Sequence, residues 1–238
     1  AGCGETILLA SLKRTMQRSR QFSAVVLFAV VMAGCARQPH PTGYFDDYSR
    51  LVNQPEPVWS VFAEQTDAGK QPRVDQILQV LPPSWNAQRL PKPRQEEELL
   101  NLLYERVMVY IYRSAPSALL VTRSRDMEIF VERGMTVVQL QMSITDVKKG
   151  IGILRFLFAG FYIAPTHLQV EGKLVELKSH KVLARFARRA VSDGQAFGLR
   201  TPQSLSPRFC WRLSINETAK LLARYVLSQH KPPPEERG

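Results

Sequence analysis

The groups in this 238-residue chain with the most specific chemistry are three thiols, Cys3, Cys35 and Cys210, and four imidazoles, His40, His167, His180 and His230. Their spacing matches no metal pattern: there is no Cys-x-x-Cys, no His pair at i,i+4 and no His-Glu-x-x-His, so no metal site is expected. Nor is there a Gly-x-Ser-x-Gly elbow, a phosphate-cradling glycine loop or a dinucleotide fingerprint. Asp46 and Asp47 stand side by side in Gly-Tyr-Phe-Asp-Asp-Tyr, where adjacent carboxylates cap a turn or meet solvent more readily than they share acid-base work. The expectation is a protein with no catalytic residue and no cofactor, although a triad assembled only in space leaves no mark on spacing.

Cys35 is the exception, because of what precedes it. Arg18 and Arg20 make a basic stretch, Phe22 to Met32 (FSAVVLFAVVM) an 11-residue apolar run, and Ala33-Gly34 a small-residue step before the thiol. That order is the order of an export signal, and the run is well short of the ~20 residues a permanent spanning helix needs. Residues 16–34 therefore read as a removable signal and residues 1–15 as an upstream extension. The segment Met32-Ala33-Gly34-Cys35 resembles the lipobox of bacterial lipoproteins. The resemblance implies cleavage between Gly34 and Cys35 and a diacylglyceryl thioether on Cys35, with palmitate-like chains anchoring at ~0.8 kcal/mol per buried methylene. Ala36 stands where inner-membrane residents resemble one another in carrying Asp, which implies the periplasmic face of the outer membrane.

Processing at Cys35 would leave Cys210 without an intramolecular partner, so it reads as a buried small apolar group. The whole chain carries +11, and residues 35–238 keep 28 Lys and Arg against 20 Asp and Glu, a net +8. Such a surface suits anionic headgroups, acidic glycan, nucleic acid or an acidic protein. Arg185, Arg188, Arg189, Arg200, Arg208, Arg212 and Arg224 crowd the last third; on a strand Arg185 and Arg189 share a face and Arg188 points the other way. They read mainly as a solvated face, and nucleic acid is not an expected partner because no recognition motif accompanies them.

The elements that must position these groups follow from periodicity. Residues 35–43 read as a tether and 231–238 (KPPPEERG) as a frayed tail around a single domain over 44–230. Prolines at 55, 57, 72, 82, 83, 91 and 93 allow only short elements, near 58–65 and 74–80. Gln95 to Tyr112 carries an apolar helical stripe behind Glu96, Glu97 and Glu98, with a β-branched, aromatic second half that would also suit a strand. Val138, Leu140, Met142 and Ile144 alternate with polar residues, a half-buried strand. Thr166–Leu177 and Val182–Val191 flank Lys178-Ser179-His180-Lys181 as a hairpin near 166–191. Ser214-x-x-Glu217 reads as a capping box opening a C-terminal helix near 214–229. The sum is an α+β domain, an antiparallel sheet covered by helices.

Between strand and hairpin lies Gly150 to Pro165 (GIGILRFLFAGFYIAP), apolar but too short and too rich in glycine to span a bilayer. It reads either as a buried connection or, through Phe156, Phe158 and Phe161, as a contact with a partner or the membrane interface. Gly43-Tyr44-Phe45-Asp46-Asp47-Tyr48-Ser49-Arg50-Leu51 just after Cys35, with Leu140 to Lys148 and Val170 to Phe186, resembles a family of uncharacterised proteobacterial lipoproteins known only as a domain of unknown function. That resemblance supports location and fold and carries no activity.

The sequence thus points to a non-enzymatic outer-membrane lipoprotein with an accessory or structural role in an envelope assembly, its partners the membrane and envelope proteins or further copies of itself. The alternative is a periplasmic binding module for a small apolar or anionic ligand at the 150–165 segment. A hydrolase of envelope polymers is a third reading, which a converging Asp, His or Ser cluster would favour.

Overall fold

The apolar and polar alternation over 137–148 builds the longest strand, and the rest of the molecule is organised around it. The computed structural model describes residues 39–54, 61–64, 77–88, 92–115, 120–122, 127–157, 165–192 and 202–228. The elements in chain order are β1 (Leu51–Gln54), β2 (Val61–Glu64), β3 (Ile77–Val80), β4 (Ser84–Trp85), α1 (Pro93–Ser114), β5 (Leu120–Thr122), α2 (Glu128–Glu132), β6 (Val137–Lys148), α3 (Gly152–Leu157), β7 (Thr166–Glu176), β8 (Val182–Ser192), a 3-10 turn (Pro202–Leu205) and α4 (Pro207–Ser228). The strands form one sheet in the order β1-β2-β8-β7-β6-β3-β5, with β4 paired to β6 beyond the end of β3.

The sheet is mixed, which corrects the expectation of an antiparallel one. The β6-β7-β8 meander and the β1-β2 hairpin are antiparallel, but β3 runs parallel to both β5 and β6, and β4 parallel to β6. Parallel pairing needs a crossover, and α1 supplies it between β3 and β5. Strands of three and four residues are too short for period-2 alternation to reveal them, so the crossover was hidden.

α1 settles the helix-or-strand ambiguity of its second half. Leu99, Leu103, Val107, Met108 and Ile111 all bury, one stripe running through the β-branched segment, with Pro93 opening the helix and Glu96 and Arg113 matched to its dipole. α4 begins at Pro207, seven residues before the expected capping box, because proline is tolerated in a helix's first turn and Cys210 and Trp211 gain burial by joining it. Ser214 is thereby interior and buried. Cys210 is fully buried, as its reading required. The α1 and α4 stripes pack on one face of the sheet against Val138, Leu140, Met142 and Ile144 of β6, Leu168, Val170 and Leu174 of β7, and Ala184 and Phe186 of β8.

Arg188 breaks the solvated-face reading. It pairs with Val170 on the helix side and is among the largest fully buried side chains, whereas Arg185 and Arg189 face the other way.

Two local irregularities set the geometry of the meander. Between Ile144 and Asp146 the β6–β7 register shifts, so Thr145 is an extra residue. Opposite Met142 and Phe186 sits Gly172, where an added Cβ would fall 2.5 Å from the Gln141 carbonyl oxygen and against the Phe186 ring. The missing side chain lets Phe186 lie over β7 and meet Tyr225 of α4 edge-on at 5.7 Å. Gly172→Ala should therefore destabilise the fold by about 1–3 kcal/mol, the usual cost of overpacking. Chemical denaturation would show this as a lower midpoint at unchanged slope, and an unchanged midpoint would show the ring to be free to move.

Candidate functional site

The face of the sheet turned away from the helices is polar, and residues 39–50, here called the arm, lie across it. Alternation along β7 points His167, Gln169, Glu171 and Lys173 to this face, and register adds Ala187 and Arg189 from β8. Gln169 and Glu171 are nonetheless fully buried, which obliges their polar atoms to find partners.

They find them in the arm. Glu171 receives Thr42 Oγ1 at 2.8 Å, Thr145 Oγ1 at 3.0 Å and Gln169 Nε2 at 2.5 Å on one oxygen, and Tyr48 OH at 2.7 Å on the other. Three donors thus converge on one oxygen and one reaches the other, and the bulged Thr145 supplies one of them. Gln169 clasps the arm's backbone both ways: its Nε2 donates to the His40 carbonyl at 2.8 Å and its Oε1 accepts from the His40 amide at 3.2 Å. The arm's hydrogen bonding to the domain thus begins at His40, inside the span read as tether.

The Gly-Tyr-Phe-Asp-Asp-Tyr-Ser sequence is the buckle of this clasp. Gly43 adopts φ +86°, a left-handed conformation open to glycine, and so turns the chain back. Tyr48 OH then accepts from the Thr42 amide at 3.2 Å while donating to Glu171. Phe45 is buried between Tyr44 and Tyr48, ring centroids 5.0 and 5.4 Å away. Burial, followed by the charge of Glu171, raises the Tyr44 hydroxyl above its ordinary pKa. Asp47 closes an Asx turn on the Ser49 amide at 2.8 Å, and hydrogen bonds from Ser49 hold its carboxyl below the ordinary range. One of the paired carboxylates is thus a turn cap.

A second group of charges lies where β6 ends and β7 begins. His40 Nε2 stands 3.8 Å from Asp146 Oδ2, beyond hydrogen-bond range. His167 is pushed down to about 4, mostly by burial and then by the nearby Arg189 and Lys148 charges. Burial lowers Arg189 too, against the pull of Asp146.

The chemistry of the arrangement is holding. Its hydroxyls, amide and carboxyl are engaged with one another and with the arm, and among the described residues no three His, Cys, Asp or Glu side chains converge to hold a metal. A cleft of about 260 Å³ elsewhere, lined by Pro82, Pro93, Glu96, Leu100 and Tyr104 among others, is below the ~300–1,000 Å³ of small-molecule sites and presents acid where an anionic ligand would need base. Of the residues singled out from sequence, Gly34, Cys35, Phe158 and Phe161 lie outside the described residues, as do the signal, the upstream extension and the tail, and of Phe156 only the backbone, in α3, is described. Tyr48 stood out only as part of the entry motif, and Glu171, Gln169, Thr145 and Thr42 were not singled out for a role. Alternation did place Gln169 and Glu171 on one strand face, but nothing local signals that a segment more than 120 residues away covers them.

No family model and no curated protein matches the chain. Solved structures do. A PelC dodecamer from Paraburkholderia phytofirmans aligns at 11% identity and TM-score 0.40, over 72% of this chain and 99% of that one. Protein XCC0632 from Xanthomonas campestris aligns at 13% and 0.40, over 75% and 92%, and lipoprotein GNA1162 from Neisseria meningitidis at 13% and 0.30, over 65% and 96%.

Glu171→Leu should leave the Thr42, Thr145, Gln169 and Tyr48 donors without their acceptor at about 1–3 kcal/mol for each group that water fails to reach. Limited proteolysis should cut the variant first within residues 39–50; an arm equally protected in the variant would show that other contacts hold it. His167 gives a pH signature. Its folded pKa, about 4, lies below its ordinary 6.5, so the unfolded chain takes up the proton first. Stability should be complete above pH 6.5, decline as pH falls towards 4, and decline less in His167→Gln, as read by thermal melts across that range.

Proposed function

We propose that this chain is a lipoprotein tethered at Cys35 to the periplasmic face of the outer membrane, where it acts as a non-enzymatic accessory or structural subunit of an envelope assembly. The observation that carries the reading is the clasp at the head of the domain. Gln169 holds the backbone of His40, which stands only five positions after Cys35. Five extended residues reach about 18 Å at most, so a lipid on Cys35 would hold the domain against the headgroups instead of letting it range through the periplasm.

A binding domain that must search for ligand is better served by a long linker; a subunit that must stand at one height and orientation is served by a short one. The site's composition agrees, since Gln169, Glu171, Thr42, Thr145 and Tyr48 are occupied in fixing the arm. The lipobox-like Met32-Ala33-Gly34-Cys35, the apolar run before it and the Ala36 after it supply the anchor and the membrane. Recruitment into an assembly, with envelope proteins or further copies, is the role such a fixed module would serve.

Intact mass of membrane-extracted protein, beside a Cys35→Ala variant, tests the anchor. The wild type should begin at residue 35 with an excess equal to acyl groups and fractionate with the outer membrane, while the variant loses both. A wild type that retains residues 16–34, or that is unmodified and unattached, would sink the reading.

A further inference from the structure

The end of the domain from which the arm emerges carries an apolar and basic surface of its own. β6 finishes at Lys148, and Lys149 and Gly150 (φ +62°) turn the chain into Ile151 and α3. Ile151 and Ile153 are 56% and 67% exposed, unusual for isoleucines at the head of a helix. The 3-10 turn Pro202–Leu205 packs directly on this spot: an added Cβ at Gly152 would fall 2.7 Å from the Leu205 carbonyl oxygen. Leu205, 42% exposed, thus has its backbone against Gly152, the residue between Ile151 and Ile153. Lys148 and Lys149 lead into this spot, both exposed. The Trp211 indole donates to the Lys148 carbonyl at 3.2 Å, pinning the turn to α4.

We infer that this patch, Ile151, Ile153 and Leu205 with Lys148 and Lys149, rests in the headgroup layer of an anionic phospholipid membrane and fixes which end of the domain faces the bilayer. The inference rests on the anchor at Cys35 proposed above. The occupant is argued from reach. His40 meets Asp146 side chain to side chain, and five positions of chain, at most about 18 Å, join Cys35 to His40 and Asp146 to Ile151. A lipid leaving Cys35 brings the patch to the same surface. Because the arm is clasped from His40 onward, the domain has little chain with which to turn the patch away.

The chemistry of the patch matches that surface. Aliphatic side chains on a folded turn insert among acyl-chain ends, while flanking lysines meet phosphates, the division seen in interfacial segments. Arg189 and Arg208 add to the positive charge of this end; Asp146 and Glu98 oppose it, and Glu98 is engaged by Arg208. The opposite end of the meander, where His180 turns β7 into β8, points away from the bilayer.

The test is depth-dependent quenching with the full chain, extracted from membranes and reconstituted in vesicles of phosphatidylethanolamine and phosphatidylglycerol with brominated acyl chains. After processing, the remaining native thiol is the buried Cys210, so Ile153→Cys, Leu205→Cys and His180→Cys can each take a polarity-sensitive fluorophore in turn. Labels at 153 and 205 should shift to the blue and lose most of their emission to the bromolipid, while a label at 180 does neither. If protein with acyl groups by mass floats with the vesicles but its label at 153 behaves like that at 180, the membrane face is overturned and the anchor stands. If quenching at 153 occurs in protein whose mass shows no acyl group, the face stands and the anchor falls. A blue shift at 153 without quenching overturns the face in favour of a second protein copy, and failure to float overturns both.

Discussion

A buried carboxyl on the middle strand of the meander is the constraint on which the rest depends. Glu171 is placed on a sheet face that would otherwise be solvated, and its four donors come from three places: the arm, the bulge of β6 and Gln169 two residues earlier on its own strand. A carboxyl shut off from solvent needs donors from the protein. If the arm leaves, one carboxyl oxygen loses the Tyr48 hydroxyl and must be met by water, so the polar network makes the leading segment part of the domain.

The irregularities elsewhere become intelligible from that requirement. The extra residue at Thr145 brings a hydroxyl onto the carboxyl while the strand's apolar residues regain the core at Val147. On the opposite face Gly172, next in sequence to Glu171, gives its space to Phe186, which carries the sheet's packing onto Tyr225 of α4. Adjacent residues on β7 thus serve the two layers by opposite means, one through a fully used polar group and the other through the absence of a side chain.

How much of this could be read from sequence depends on the range of the interactions. α1, β6, the β7-β8 hairpin and the C-terminal helix were legible because each buries a periodic stripe over ten or more residues. The parallel pairing of β3 with β5 and β6 was not, since strands of three or four residues carry no period. The start of α4 was misplaced because a local capping signal at Ser214 was outweighed by the burial of Cys210 and Trp211. In the candidate site, the buckle motif stood out for its composition and Asp47 for a turn, but Glu171 and Gln169 looked like ordinary solvent-facing residues. Their burial comes from a contact across 129 positions, which no window along the chain contains.

The same long-range contact joins anchor to orientation. A clasp placed near the sheet's centre, with a lipid at the end of a long tether, would allow the domain any attitude to the membrane. Here the clasp starts at His40, five positions from Cys35 and beside Asp146, which precedes Ile151 by five positions along the chain. The covalent and interfacial attachments proposed above would together restrict tilt more than either alone, because the second would form at high effective concentration. In the attitude proposed above, the hairpin end of the meander would be the surface left outward for a partner.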